Sequence, residues 1–154
     1  MAEEKYKIVD GKKITAAIVV IDSDGNILGC HGCGKKQNEG YDFPKGCVNE
    51  GETDIQAACR ELQEETDIYM LDYDKCRLID AGIHPHNKEK NIHLFIFKTS
   101  YFPPVEQLKC STYFEYKGKK FPEIDGYKII SKDNRSMFNK VLQNKFEIID
   151  KFNK

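Results

Sequence analysis

The sequence predicts an α/β domain in which a β-sheet is covered by helices on both faces. Residues 14–21, ITAAIVVI, form a β-branched apolar run with little alternation, as expected for a strand buried on both sides. Residues 53–66 repeat apolar side chains at helical period, and a second helical pattern follows Asp133 near the end of the chain. Further strand-like stretches lie between these two, so strands both precede and follow a helix. At 154 residues, 40% hydrophobic and 32% charged, the chain suits one domain over 1–154 with one good core.

The elements follow in order. Ser23-Asp24-Gly25-Asn26 is a turn signal, and Ile27-Leu28 resumes a strand, which predicts a hairpin with 14–21. Gly29 to Gly40, rich in glycine and lysine, reads as a loop. Pro44, inside Tyr41–Gly46, removes a backbone donor and suits a strand edge. Thr53 is placed to cap a helix, with Gln56 completing a capping box. Ile55, Ala58, Cys59 and Leu62 recur at i, i+3, i+4 and i+7 and form the core-facing stripe. Glu61, Glu64 and Glu65 share another face, about 120° round at about 100° per residue. Tyr69 to Tyr73 reads as a short connection. RLIDAGI (77–83), a polar turn at His86 to Lys90 and IHLFIFKT (92–99) predict a second hairpin, with Phe95 and Phe97 in the core and His84 and His86 as hairpin-loop residues. Pro103-Pro104 breaks regular structure. Phe114 to Phe121 mixes aromatics with lysines, as a surface excursion or an extra strand pair, and Tyr113 and Tyr116 suit either base stacking or plain surface. Tyr127–Ile130 is a short strand. Asp133 or Asn134 then caps a helix whose apolar face is Met137, Val141, Leu142, Phe146, Ile149 and Phe152.

Composition narrows the function classes. No run approaches the roughly 18 apolar residues of a membrane helix. The segment MAEEKYKIVDGKK carries acidic residues and no apolar core, unlike a signal peptide, so a cytoplasmic location is expected. A net charge of −1 gives no general pull toward nucleic acid, although Lys117, Lys119 and Lys120 cluster. Cys30 and Cys33 have CxxC spacing, but no second pair completes a zinc site. The six cysteines are expected to be reduced thiols, with these two in a loop and Cys59 on the core stripe.

Three carboxylates on one helical turn repel one another, by a few tenths of a kcal/mol per exposed pair. A hard divalent cation such as Mg²⁺ or Mn²⁺ turns that repulsion into attraction. Five residues separate Gly46 from Glu52, seven separate Glu52 from Arg60, and Glu61, Leu62, Glu64 and Glu65 follow. This spacing resembles the Nudix box, G-x5-E-x7-R-E-U-x-E-E-x-G-U, with U bulky and aliphatic. Every fixed position of Gly46–Ile68 matches except the last glycine, here Asp67. That glycine would serve a left-handed residue ending the helix, a conformation Asp visits at modest cost. The resemblance implies an α/β/α sandwich with a mixed sheet and a Nudix pyrophosphohydrolase. It also implies Glu64 and Glu65 as metal ligands, Glu61 as a third ligand or the general base, and Gly46 as a carbonyl ligand. Arg60 would brace Glu52, and Glu123 would match the place of a further acid ahead of the last strand.

The box says little about the group attached to the pyrophosphate. Phe43-Pro44-Lys45-Gly46 resembles the approach to the box in hydrolases of diadenosine polyphosphates, RNA 5′ ends and diphosphoinositol polyphosphates. Lys45 suits the extra charge of a long phosphate chain, and Tyr41 is a further candidate for substrate binding. The favoured substrate is a dinucleoside polyphosphate or a 5′-phosphorylated RNA end. ADP-ribose, a nucleotide sugar or a diphosphoinositol is the alternative. A non-catalytic nucleotide-binding Nudix module is the alternative from another class, disfavoured because all three box carboxylates are present.

Overall fold

A computed structural model describes residues 5–153. Its centre is β2 (Lys12–Ile21), the predicted buried strand. Ala17, Val19 and Ile21 face one side of the sheet; Ile14, Ala16, Ile18 and Val20 face the other. Both sets are buried, which explains why the run lacks alternation. Parallel to β2 lies β7 (Lys90–Lys98), and β6 (Ile79–Pro85) pairs antiparallel with β7 as the predicted second hairpin. On the other flank β3 (Ile27–Gly32) pairs with β10 (Ile124–Ile130), giving the order β10-β3-β2-β7-β6. The sheet is therefore mixed. It is covered on one face by α1 (Asp54–Thr66) and on the other by α3 (Phe146–Phe152), an α/β/α sandwich as expected.

The first hairpin differs from expectation. β2 and β3 share one residue pair, Ile21 opposite Ile27, and then diverge. The gap is filled by Tyr41–Cys47. Its first half, β4 (Tyr41–Asp42), pairs with β3, and its second half, β5 (Lys45–Cys47), pairs with β2. Phe43 is fully buried at the junction, and the Pro44 carbonyl accepts from the Ile18 N–H at 3.2 Å. Pro44 thus sits between strands, where its missing donor is not needed. A short β1 (Ile8–Val9) pairs with the start of β2.

The predicted loop at Gly29–Gly40 begins later than expected, because β3 runs to Gly32 and buries Cys30 completely. Gly29 belongs to the strand because a Cβ there would come within 2.7 Å of Ile130 and 3.1 Å of Tyr41. The core-facing stripe of α1 is also rotated. Ala57, Ala58 and Leu62 are buried, Cys59 is half-buried, and Ile55 is 40% exposed. The expected connection after α1 contains one helical turn, α2 (Asp72–Lys75).

The C-terminal helix is broken. Two 3-10 stretches, Lys132–Met137 and Lys140–Lys145, precede α3. Phe138 and Asn139 between them are extended, with ψ of 151° and 144°. The Asn139 N–H donates to the Tyr41 carbonyl at 2.8 Å, and Phe138 packs 5.3 Å from Phe43 and 5.4 Å from Phe146, centroid to centroid. Tertiary packing on the Tyr41–Phe43 segment overrides the helical period. Val141 and Phe152 consequently lie on the exposed side, at 37% and 38%. Buried Arg135 ties the first 3-10 stretch to α3 through two bonds to Asp150, at 2.8 and 2.9 Å.

Residues 113–122 form a separate two-stranded hairpin of β8 (Tyr113–Tyr116) and β9 (Lys119–Pro122), so the excursion and the extra strand pair are one object. No helix among the described residues is long and apolar enough to cross a membrane.

At the end of α1, Asp67 adopts φ 66° and ψ 18°, the left-handed cap expected of the residue replacing glycine. Asp67→Ala is expected to destabilise the fold by about 1 kcal/mol, because alanine bears the full left-handed penalty. Asp67→Gly is expected to be tolerated. Denaturant titration of the two variants checks both outcomes.

Candidate active site

The capping box of α1 is present. The Thr53 hydroxyl accepts from the Gln56 N–H at 3.1 Å, and the Gln56 side chain accepts from the Thr53 N–H at 2.9 Å. This fixes the start of the helix and hence the direction of the residues along it. One and two turns further on, Arg60, Glu61, Glu64 and Glu65 face the outer edge of β5.

Among the described residues that edge has no neighbouring strand, because β4 follows β3 away from β2. Side chains of α1 take the place of one. Glu65 accepts from the Lys45 N–H at 3.3 Å, and Arg60 Nη2 donates to the Cys47 carbonyl at 3.0 Å. Between them Gly46 comes so close to the helix that a Cβ would run into the Glu61 carboxyl. The first letter of the motif is thus explained by contact: a side chain at position 46 would displace the Glu61 carboxyl.

Arg60 is the hub. It donates through Nε and Nη2 to both oxygens of Glu52, at 2.8 and 3.0 Å, the bracing pair expected. Nη1 reaches Glu61 at 2.8 Å and Glu64 at 3.3 Å. Glu52 in turn accepts from the Asn49 N–H at 3.0 Å, fixing the loop to the helix. The hydrogen bonds from Arg60 hold the Glu52 carboxyl below its usual range, and the bonds to Glu52 raise Arg60 above its own. Burial pushes Glu61 up to about 7, with Glu64 and Glu123 adding to the rise against Arg60. Burial also pushes Glu65, only 7% exposed, up to about 9, with Glu61 reinforcing it and Lys45 offsetting part.

These groups line a cavity of about 530 Å³ that wraps around the β5 edge. The register divides it. Gly46 lies opposite Ala16, which faces α1; Lys45 lies opposite Ala17, which faces α3. The α1 carboxylates Glu61, Glu64 and Glu65 therefore occupy one side, while Lys45 and Lys90, which shares the face of Ile92 and Leu94, belong to the other. Burial disfavours the Lys45 charge, but Asp42, with its carboxylate 3.0 Å from Nζ, and Glu65 outweigh this and raise it.

Of the residues singled out in the sequence, Gly46, Arg60, Glu61, Glu64, Glu65, Glu123 and Lys45 meet at this cavity, with Glu52 behind Arg60. Tyr41 does not line it. Its ring packs edge-on to His31 at 5.1 Å and against the α3-side core. Tyr6, Asn49, Lys90 and Thr112 line the cavity without a motif to announce them. Tyr6 is brought there by a bridge to Asn49, and Lys90 by its register with Lys13, both long-range pairings that spacing cannot reveal.

The sequence profile of the NUDIX domain family matches residues 11–133. The chain belongs to that family. Its curated relatives include an RNA pyrophosphohydrolase of Stenotrophomonas maltophilia (strain K279a), 37% identical over 57 residues. That alignment covers 37% of this chain and 26% of the relative, so the chain matches about a quarter of that protein's length. Among solved structures, the MutT protein from Methanosarcina mazei Go1 has the same fold, with a TM-score of 0.59 at 22% identity over 96% of this chain and 99% of that one. A bifunctional NMN adenylyltransferase/ADP ribose pyrophosphatase from Francisella tularensis, solved with AMP and a Mn ion, gives a TM-score of 0.66 at 18% identity, over 96% of this chain and 44% of that one.

The donors fit a hard divalent cation: carboxylate oxygens, partly buried, beside a glycine backbone. Among the described residues no three acidic, histidine or cysteine side chains yet converge tightly enough to enclose an ion. Arg60 brings a positive charge to this group, 2.8 Å from Glu61 and 3.3 Å from Glu64.

Both raised carboxyls make the metal-free fold prefer a protonated site. A carboxyl whose folded pKa lies above its usual 4.5 adds stability as pH falls from its folded value toward 4.5. Metal-free protein is therefore expected to gain from these groups between about pH 9 and pH 5. Glu65→Gln is expected to flatten that dependence, to melt higher than wild type at pH 9 in a chelator, and to lose most of the stabilisation given by Mn²⁺. Thermal melts across pH, with and without Mn²⁺, check all three.

Proposed function

We propose that this protein hydrolyses a phosphoric anhydride bond in a polyphosphate chain carried by a nucleoside, with Mg²⁺ or Mn²⁺ as cofactor. The substrate is a dinucleoside polyphosphate of the Ap4A kind or the 5′-phosphorylated end of an RNA. The observation that carries this reading is the two-sided cavity at the β5 edge, acidic on the α1 side and basic on the other. A chain of several phosphates can be metal-bound at one end and meet lysines at the other, whereas a single pyrophosphate fills only the acidic side.

Glu64 and Glu65 would hold the cation, with Glu123 and the Gly46 carbonyl completing the set. Glu61 serves as a third ligand or as the base for the attacking water. Bound there, the cation neutralises pyrophosphate charge and lowers the pKa of a coordinated water. The protein's own residues do the rest. Arg60 and Glu52 keep the loop and helix in register, so Glu61 stays against Gly46. Lys45 and Lys90 orient the distal phosphates, which favours in-line attack by positioning.

Turnover of Ap3A, Ap4A, Ap5A, ADP-ribose, NADH, 8-oxo-dGTP, a diphosphoinositol and triphosphorylated RNA, with products identified, tests the reading. Cleavage of Ap4A or triphosphorylated RNA is expected; cleavage of ADP-ribose and NADH alone would overturn the substrate class. Glu64→Gln is expected to lower kcat by about 10²–10³ with an unchanged fold, the scale of losing one major electrostatic contact. Equal ligand binding with no turnover by either protein on any substrate would mean a binding module instead.

A further inference from the structure

The β8–β9 hairpin projects from the rim of the active site. Its two ends, Thr112 and Glu123, both line the cavity and are joined by the Glu123 N–H donating to the Thr112 carbonyl at 3.0 Å. The segment leading into it is fixed to the ligand-bearing helix. The Ser111 N–H donates to the Glu64 carbonyl at 2.7 Å and the Lys109 N–H to the Thr66 carbonyl at 3.3 Å. The hairpin's placement is therefore tied to the backbone of Glu64 itself.

Its composition is unusual for an exposed strand pair. Tyr113 and Tyr116 are 59% and 60% exposed, and Phe114 is 39% exposed. Cross-strand pairing sets Phe114 opposite Phe121 and Tyr116 opposite Lys119, so these four share one face. The rings of Phe114 and Phe121 lie 5.9 Å apart, and Lys117 extends over Tyr116 at 5.4 Å. Lys117, Lys119 and Lys120 face one acid, Glu115, along the hairpin. An isolated two-stranded hairpin gains little from its own burial, so this many exposed rings is not explained by folding. Rings interleaved with lysines are what a single-stranded nucleic acid requires: flat faces for bases and cations for the backbone.

We infer that the Tyr113–Pro122 hairpin is a binding platform for single-stranded RNA whose 5′ phosphates occupy the cavity that Thr112 and Glu123 border. This rests on the polyphosphate reading above and selects within it. A strand of four residues extends about 13 Å, so the platform runs outward from the rim, and its far end at Tyr116 and Lys117 meets nucleotides downstream of the 5′ end. Bases would stack on Tyr116 and Phe114, which share that face. The three lysines would take backbone phosphates, without base-specific contacts.

The test uses the full chain with Mn²⁺, comparing 5′-triphosphorylated single-stranded RNA of about ten nucleotides with Ap4A. Tyr116→Ala and Lys117→Glu/Lys119→Glu are each expected to raise KM for RNA about tenfold or more, the scale of losing stacking or phosphate contacts. The kcat on RNA and both constants on Ap4A are expected to stay within about twofold. Anisotropy of a fluorescent RNA gives an activity-independent readout. Lys117→Gln/Lys119→Gln/Lys120→Gln is expected to flatten the log Kd against log salt slope by about 2, at roughly 0.7 per phosphate on a single strand. The inference is overturned if RNA affinity is unchanged in these variants, or if RNA and Ap4A turnover fall together. Ap4A turnover without RNA turnover, with anisotropy unaffected by the hairpin, would sink the platform and leave the pyrophosphohydrolase standing. If neither substrate is cleaved, the polyphosphate reading fails, and the anisotropy series alone decides whether the hairpin holds RNA.

Discussion

A single antiparallel pair, Ile21 against Ile27, joins β2 to β3 before the two strands part. Everything around the active site depends on that parting. It opens a gap that the Tyr41–Cys47 segment must fill, sending β4 to one strand and β5 to the other. It leaves β5 with one free edge, and α1 lies against that edge. Had the strands stayed paired along their length, β3 would have taken the place of β5 beside β2, and Gly46 would not lie against Glu61. Burying Phe43 at the fork makes the divergence favourable. Its ring packs against Phe138 and Phe146, so the α3-side core anchors a segment whose other end serves the catalytic side.

The second constraint is charge. Four acids line one cavity, and burial makes the charge of Glu61 and Glu65 expensive. Arg60 meets it by contacting three of the box glutamates at once, while its geometry commits two of its donors to Glu52. The arginine therefore has a dual character: a rigid brace on one side and a replaceable counter-charge on the other. Only Nη1 faces the carboxylates a cation would claim, so their release leaves the brace intact.

Much of this was legible in the sequence, for definable reasons. The capping box, the left-handed Asp67 and the Arg60–Glu52 pair are local, and local spacing encodes them. The doubly buried β2 was visible as an unbroken apolar run. What escaped reading was set by distant contacts. Gly29 looked like loop but belongs to a strand packed against Ile130. The periodic C-terminal segment breaks at Phe138 and Asn139, because Tyr41 offers a backbone partner that a helix would forfeit. Tyr41 itself was matched to the substrate by its neighbours in sequence, yet alternation turns it to the opposite face from Gly46. Tyr6 and Lys90 reach the cavity through strand register alone.

The free edge of β5 has one more implication. An unpaired strand edge is a template on which another chain can add, and proteins usually blunt such edges with charge. Here the blunting groups are Glu65 and Arg60, side chains that the proposed chemistry also uses. Protection of the edge and the proposed catalysis thus rest on shared residues. An inactivated variant with neutral side chains in their place would present three residues of unguarded strand, so loss of activity and a tendency to self-associate would arise together.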